Sequence, residues 1–232
     1  MSRSGPAAGP AITHRTRRSA VPTTSSVRVA LAALVVAVLA AACGGTAATP
    51  SPTPIMVEPV TQPPLGQRET AYDPPEEAPP LVLTDQDGKP FDLASLRGRP
   101  VFVYFGYTHC PDVCPTTLAD IREGMKRAGI SVPVVMVTID PARDTAAAMQ
   151  QYTSFYGEGF LGLTGSQVEI NRAATDWGVS FRQLEVDKNG NYAMAHSTDT
   201  YLIDAKGMLR HHIFFGAGAD IFADRLTQVA KG

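Results

Sequence analysis

The stretch Val101-Phe102-Val103-Tyr104-Phe105-Gly106-Tyr107-Thr108-His109-Cys110-Pro111-Asp112-Val113-Cys114-Pro115 changes character twice along its length. Val101–Tyr107 is an apolar run of β-branched and aromatic residues, the pattern of a buried strand. A short loop with two cysteines in Cys-x3-Cys spacing follows. Pro115 then suits the first turn of a helix, where its missing N–H leaves no bond unmade. A strand that passes directly into a helix points to an α/β domain.

Working outward, Val134–Ile139 and Tyr201–Ile203 are further short apolar runs bounded by breakers. Helical patterns fall at Thr116–Ala128, Asp144–Tyr156 and Gln167–Asp176, and a last helix at Ala219–Val229. Asn189-Gly190 marks a hairpin turn between Phe181–Val186 and Tyr192–His196, and Lys206-Gly207 a turn into Met208–Phe215. Alternating strands and helices, then hairpins and a closing helix, predict one α/β domain over residues 81–232. Its central mixed sheet is flanked by helices.

Residues 1–80 divide in two. Arg3, Arg15, Arg17, Arg18 and Arg28 precede the apolar run Val29–Ala42, which is too short to span a bilayer as a helix of about 20 residues. A basic front and a short apolar run match a secretory signal. Its end, Leu39-Ala40-Ala41-Ala42-Cys43-Gly44-Gly45, resembles a bacterial lipobox, so residues 1–43 read as a signal peptide and Cys43 as the lipidated residue. Leu39 stands one place further from Cys43 than is usual. Residues 44–80 hold 10 of the 19 prolines and read as an extended, disordered tether. The predicted location is therefore the extracytoplasmic face of the cell membrane, held by a lipid anchor.

After Cys43 the chain carries 15 Lys and Arg against 22 Asp and Glu. An acidic body without a basic cluster argues against a nucleic-acid partner, because phosphate neutralisation needs Lys and Arg. Neither Met125, Met136, Met149, Met194 and Met208 nor the glycines near Gly216 form a recognised binding motif, and Trp177 reads as packing.

If Cys43 carries lipid, Cys110 and Cys114 are the only other thiols. A helix N-terminus favours thiolates through its exposed N–H groups. A disulfide across so short a loop would gain little stability, since that gain grows with loop length. The pair therefore serves either a reversible disulfide or a two-sulfur grip on a soft metal. For a third ligand the domain offers His109, His196, His211 and His212. His109 adjoins Cys110 and could shape the loop. His211 and His212 should point to opposite faces of a strand, one to the surface and one half-buried. His196 ends the strand after the Asn189-Gly190 turn; spacing alone does not make it a ligand.

Tyr104–Pro115 resembles the signature of the Sco (SenC) family of copper-binding cytochrome oxidase assembly proteins. Val137-Thr138-Ile139-Asp140-Pro141-Ala142-Arg143-Asp144-Thr145, Gly162-Leu163-Thr164-Gly165 and Tyr192-Ala193-Met194-Ala195-His196-Ser197 are similar to later segments of that family, so the likeness runs from Leu81 to Val229. The resemblance implies a thioredoxin-like fold that binds one copper, as Cu(I) or Cu(II), through Cys110, Cys114 and His196. It implies a role in assembling the dinuclear centre of cytochrome c oxidase subunit II, with a second copper carrier or a thiol reductase as further partners. Asp140 matches a family position beside the site; from the residues alone it is equally a turn residue before Pro141. Two thiolates and an imidazole suit Cu(I), and a Cys110–Cys114 disulfide would remove both sulfurs.

The main rival is a membrane-tethered thiol–disulfide oxidoreductase that keeps target cysteines reduced, with the same fold and cysteines. Against it stand the Cys-x3-Cys spacing and the lack of any proline after Pro141, where such reductases place one beside their cysteines. A peroxide-reactive redoxin and a copper sensor share the same residues. An enzymatic activity is not required by the metal reading.

Overall fold

The computed structural model describes residues 66–232. The signal peptide, Cys43 and most of the expected tether lie outside them. Ten strands occur among the described residues. They are β1 (Glu69–Glu77), β2 (Val82–Asp85), β3 (Pro90–Asp92), β4 (Val101–Gly106), β5 (Val134–Thr138), β6 (Phe160–Thr164), β7 (Phe181–Gln183), β8 (Met194–His196), β9 (Thr200–Ile203) and β10 (Met208–Ile213). Four helices accompany them: α1 (Val113–Ala128), α2 (Ala146–Ser154), α3 (Gln167–Asp176) and α4 (Ala219–Lys231). A 3₁₀ turn spans Leu93–Leu96.

Eight strands form one mixed sheet in the order β1-β10-β9-β4-β5-β6-β2-β3, and β7-β8 stands apart as a two-stranded sheet. The centre is parallel, β4 to β5 to β6, and the flanks are antiparallel. Every residue of β4, β5 and β9 is buried. That is why these three strands are continuous apolar runs rather than alternating ones. The expected mixed α/β class and its buried strands are thus the ones observed.

The helices follow from local chemistry. In α3, Ser166 and Glu169 form a capping box, each side chain accepting the other's backbone N–H. Thr145 caps α2, whose start lies two residues beyond the expected Asp144. Gly129 ends α1 in the left-handed conformation, φ 65°. Helices α1 and α4 pack closely because Gly124 has no side chain. A Cβ there would lie 2.5 Å from Phe222 Cβ and 3.0 Å from the Ala219 carbonyl oxygen.

Three differences from the sequence reading have physical causes. Part of the span expected as tether, 44–80, is strand instead: Glu69–Glu77 pairs antiparallel with β10. Its prolines, Pro74 and Pro75, fall where the register shifts between Ala71 and Glu76, so no ladder bond is asked of them. That strand in turn covers β10, so neither neighbouring histidine reaches the surface as expected. His211, paired with Ala71, is 8% exposed, and its ring lies 3.2 Å from Glu69; His212 lies 3.0 Å from Asp199 and stacks on Tyr201. The two do face opposite ways, as the pleat requires. Finally, β2, β3 and β6 have no counterpart in the sequence reading, being short or broken by glycine.

Candidate metal centre

The end of β4 builds the first half of the site. Gly106 allows Tyr104 and Cys114 to meet: a Cβ there would lie 2.6 Å from Tyr104 Cε1 and 3.0 Å from Cys114 Sγ. The chain then turns, the Cys110 N–H donating to the Tyr107 carbonyl at 3.3 Å, and enters α1. Asp112, the residue before α1, makes no side-chain capping bond. Instead the Cys114 N–H donates to Cys110 Sγ at 3.3 Å, so a sulfur occupies the place of the capping oxygen. Cys114 lies within the first turn and is fully buried, while Cys110 is partly exposed.

A buried carboxylate holds this corner. Asp144, with no exposed surface, accepts from the Thr108 N–H at 3.0 Å, the Thr108 hydroxyl at 2.6 Å and the Thr138 hydroxyl at 2.6 Å. It thereby ties the start of the cysteine loop to the end of β5. His109 stays half-exposed, its Nδ1 3.0 Å from the Thr108 hydroxyl, and is outside the cluster of donors described below.

The second half comes from β8. Phe181 pairs with His196 across the hairpin, which is shorter at both strands than the expected Phe181–Val186 and Tyr192–His196. His196 Nδ1 stands 2.6 Å from the Ser197 carbonyl oxygen. A carbonyl only accepts, so Nδ1 carries a hydrogen, and Nε2 is the ring nitrogen left to face the sulfurs. That nitrogen faces Cys114 Sγ at 3.8 Å. The donor atoms of Cys110, Cys114 and His196 all lie within 4.8 Å of one another. Among the described residues this is the only group of three or more His, Cys, Asp or Glu so gathered.

The two thiols are electrostatically unequal. The Cys110 thiol is brought down to about 3, chiefly by the hydrogen bond from the Cys114 side chain, with His196 and the N–H groups of Cys114 and Asp112 assisting against partial burial. Cys114 is pushed up, because its proton is the one shared with the Cys110 sulfur and because it is buried. The coupling thus favours the thiolate at Cys110 and the thiol at Cys114. Burial and the adjacent sulfurs push the Tyr104 phenol upward as well.

Asp140 proves both a turn residue and a structural anchor. Its carbonyl accepts from the Arg143 and Asp144 N–H groups, and its carboxylate pairs with the Arg143 guanidinium and accepts from the Tyr192 hydroxyl. It is outside the three-donor group. Sequence reasoning missed Asp144, Arg143, Tyr107 and Tyr192. The signal was the Asp140–Thr145 segment, where two carboxylates flank an arginine. Trp177, at the end of α3, packs against Phe105 and Tyr201 as expected.

A mixed-sheet domain of this kind, with two sulfurs at a strand-to-helix corner, is thioredoxin-like. The SCO1/SenC family matches residues 69–231, and the chain belongs to that family. It is similar to the SCO2-like protein RC0895 of Rickettsia conorii, 38% identical over 136 residues that cover 57% of this chain and 66% of that one. Among solved structures it resembles Bradyrhizobium japonicum ScoI with copper bound, at 34% identity and TM-score 0.59, covering 66% of this chain and 99% of that one. Yeast Sco1 with copper bound is similar at 29% identity and TM-score 0.62, covering 68% and 90%.

Proposed function

We propose that the protein is a copper carrier for cytochrome c oxidase assembly. It takes one copper ion as cargo on Cys110, Cys114 and His196 and passes it to the dinuclear copper centre of oxidase subunit II. The observation that carries this reading is the gathering of those three donor atoms within 4.8 Å, with the histidine Nε2 already turned toward a sulfur. The donor chemistry fits. Bonds of the length zinc makes to imidazole and thiolate, about 2.0–2.3 Å, would separate donors in a trigonal set by about 3.7–4 Å. The 3.8 Å between Cys114 Sγ and His196 Nε2 already has that value. Two soft sulfurs and one imidazole favour Cu(I) over harder ions.

Partial exposure at Cys110 against full burial at Cys114 gives the cargo one face by which to enter and leave. Oxidation of the pair would cost both sulfur ligands, so loading depends on a reductant, and a thiol reductase and an upstream copper carrier are the partners this chemistry requires. We place the domain outside the cell membrane, anchored through an acylated Cys43. In support, a basic front, the short apolar run Val29–Ala42 and the small residues before Cys43 have the pattern of a lipoprotein signal. Among the described residues no helix is long and apolar enough to cross a membrane.

A second reading has its own observation, the anionic and accessible Cys110 beside a protonated, buried Cys114. The Cys110 thiolate could attack a partner disulfide and release one partner thiolate. Cys114, giving up its proton, would then close on Cys110 and release the second, leaving the partner reduced and this pair oxidised until an external thiol reductase restores it. One experiment separates the two: the copper-loaded protein is mixed with metal-free subunit II domain, once fully reduced and once oxidised, and the absorption of its dinuclear centre and its free thiols are followed. Copper transfer to a partner already reduced supports carriage. Activity only toward the oxidised partner supports reduction and overturns carriage.

A further inference from the structure

His196 stands on a strand that takes no ladder bond from the main sheet. Its strand, β8, pairs only with β7, and the two make a separate sheet. A hairpin of this kind is marginal by itself in water. The hairpin loop exposes Leu184 and Val186, at 36% and 49%, and so contributes little burial. Something else must seat the histidine against the cysteines.

The contacts that do so converge on one side chain. The Arg143 guanidinium pairs with Asp140, donates from Nη1 to the Tyr192 carbonyl at 2.9 Å, and lies 3.6 Å from the centre of the Tyr192 ring. The Tyr192 hydroxyl closes the circuit by donating to Asp140 at 2.9 Å. Arg143 also lies 5.8 Å from the ring of Tyr107, whose hydroxyl accepts the Met194 N–H at 3.3 Å and whose ring meets His196 edge-on at 5.9 Å. A planar, forked cation can make the ion pair, the carbonyl bond and the ring stack at once; an ammonium cannot. Arg143 stands just after β5, so it joins the rigid sheet to the hairpin only two residues before β8 begins.

The geometry points to Arg143 as a positioning residue, a latch that seats the His196 hairpin over Cys110 and Cys114. It makes the third donor present before metal arrives. This rests on the copper reading for its consequence, but the latch itself is a property of the metal-free protein. The first arm of the test is therefore amide hydrogen exchange on metal-free Arg143→Met and Arg143→Lys. In both, the Met194 amide should exchange at least about tenfold faster, while amides of β4 and β5 keep wild-type rates. The second arm is Cu(I) affinity. Arg143→Met should weaken binding by about 10- to 100-fold, the range for lost partners of metal ligands. It should cost nothing further in a His196→Ala background.

Unchanged Met194 exchange would overturn the proposal, as would acceleration spread evenly over β4 and β5, which would make Arg143 a general stabiliser. Equal loss of affinity with and without His196 would overturn it too. Should the wild type itself not bind Cu(I), the copper reading fails while the exchange arm still decides the latch.

Discussion

Cys110 and Cys114 sit where a fully buried strand runs into a helix, whereas His196 sits on a hairpin that shares no backbone ladder with that strand's sheet. The sulfur corner is fixed by covalent sequence: the two cysteines are four residues apart, one caps the helix, and a buried carboxylate pins the loop. The histidine arrives 82 residues after Cys114, on a hairpin that side chains, chiefly Arg143 and Tyr107, hold against the sheet. Such a site has a permanent two-sulfur floor and a separable third wall. That division suits cargo that must be both held and released, because dissociation can begin by moving one weakly tethered ligand.

The comparison can be broken from the sulfur side first. Asp144→Ala leaves the Thr108 N–H, the Thr108 hydroxyl and the buried Thr138 hydroxyl without their acceptor. With about 1.5–3 kcal/mol for each hydrogen bond to a charged group, a loss of at least about 3 kcal/mol is expected in urea unfolding. If stability is unchanged, the corner is not rigid in the way described. Gly106→Ala follows, with an expected loss of about 1–3 kcal/mol by overpacking. The new methyl meets Tyr104 and Cys114 Sγ, so Cu(I) affinity should fall with stability; full affinity would show that the sulfur position is slack.

The hairpin side predicts a smaller effect. Tyr107→Phe removes the acceptor of the Met194 N–H and should cost about 0.5–1.5 kcal/mol. Its signature is local: broadened His196 ring signals in the NMR spectrum of the metal-free protein, with β4 and β5 signals unshifted. Least disruptive is a titration that sharpens the inequality of the two thiols. Because Cys110 titrates near 3, its alkylation by iodoacetamide in the metal-free protein should be nearly flat from about pH 8 to pH 5 and decline only as the pH falls toward 3. An ordinary thiol would lose reactivity steadily below about pH 8.5. Cys114 should stay unlabelled throughout, being buried and protonated.

Legibility in the sequence followed the same divide. Strands β4, β5 and β9 were readable because burial on both faces leaves unbroken apolar runs, and α3 because its buried residues Ile170, Ala173 and Ala174 recur at local helical spacing. The Cys-x3-Cys pair was readable for the same reason, as all its parts lie within one short segment. β1 was hidden by prolines that a register shift accommodates, and β6 by Gly162, whose missing side chain admits Met149: a Cβ there would lie 2.6 Å from Met149 Cβ. His196 could be chosen among the histidines only through likeness to a family. Nothing in its neighbours records that the hairpin folds back onto the cysteines. Asp144, Arg143 and Tyr192 were missed because their roles exist only once β5, the cysteine loop and the hairpin are brought together.

The claim on which all of this rests is that three residues, far apart in sequence, make one metal site. The direct measurement is a Cu(I) titration of the reduced, oxygen-free protein against a competing chelator, with Cys110→Ala, Cys114→Ala and His196→Ala alongside. The account predicts tight one-to-one binding that falls in all three variants, most steeply for the two cysteines. Weak binding by the wild type, or binding that ignores His196, would contradict it.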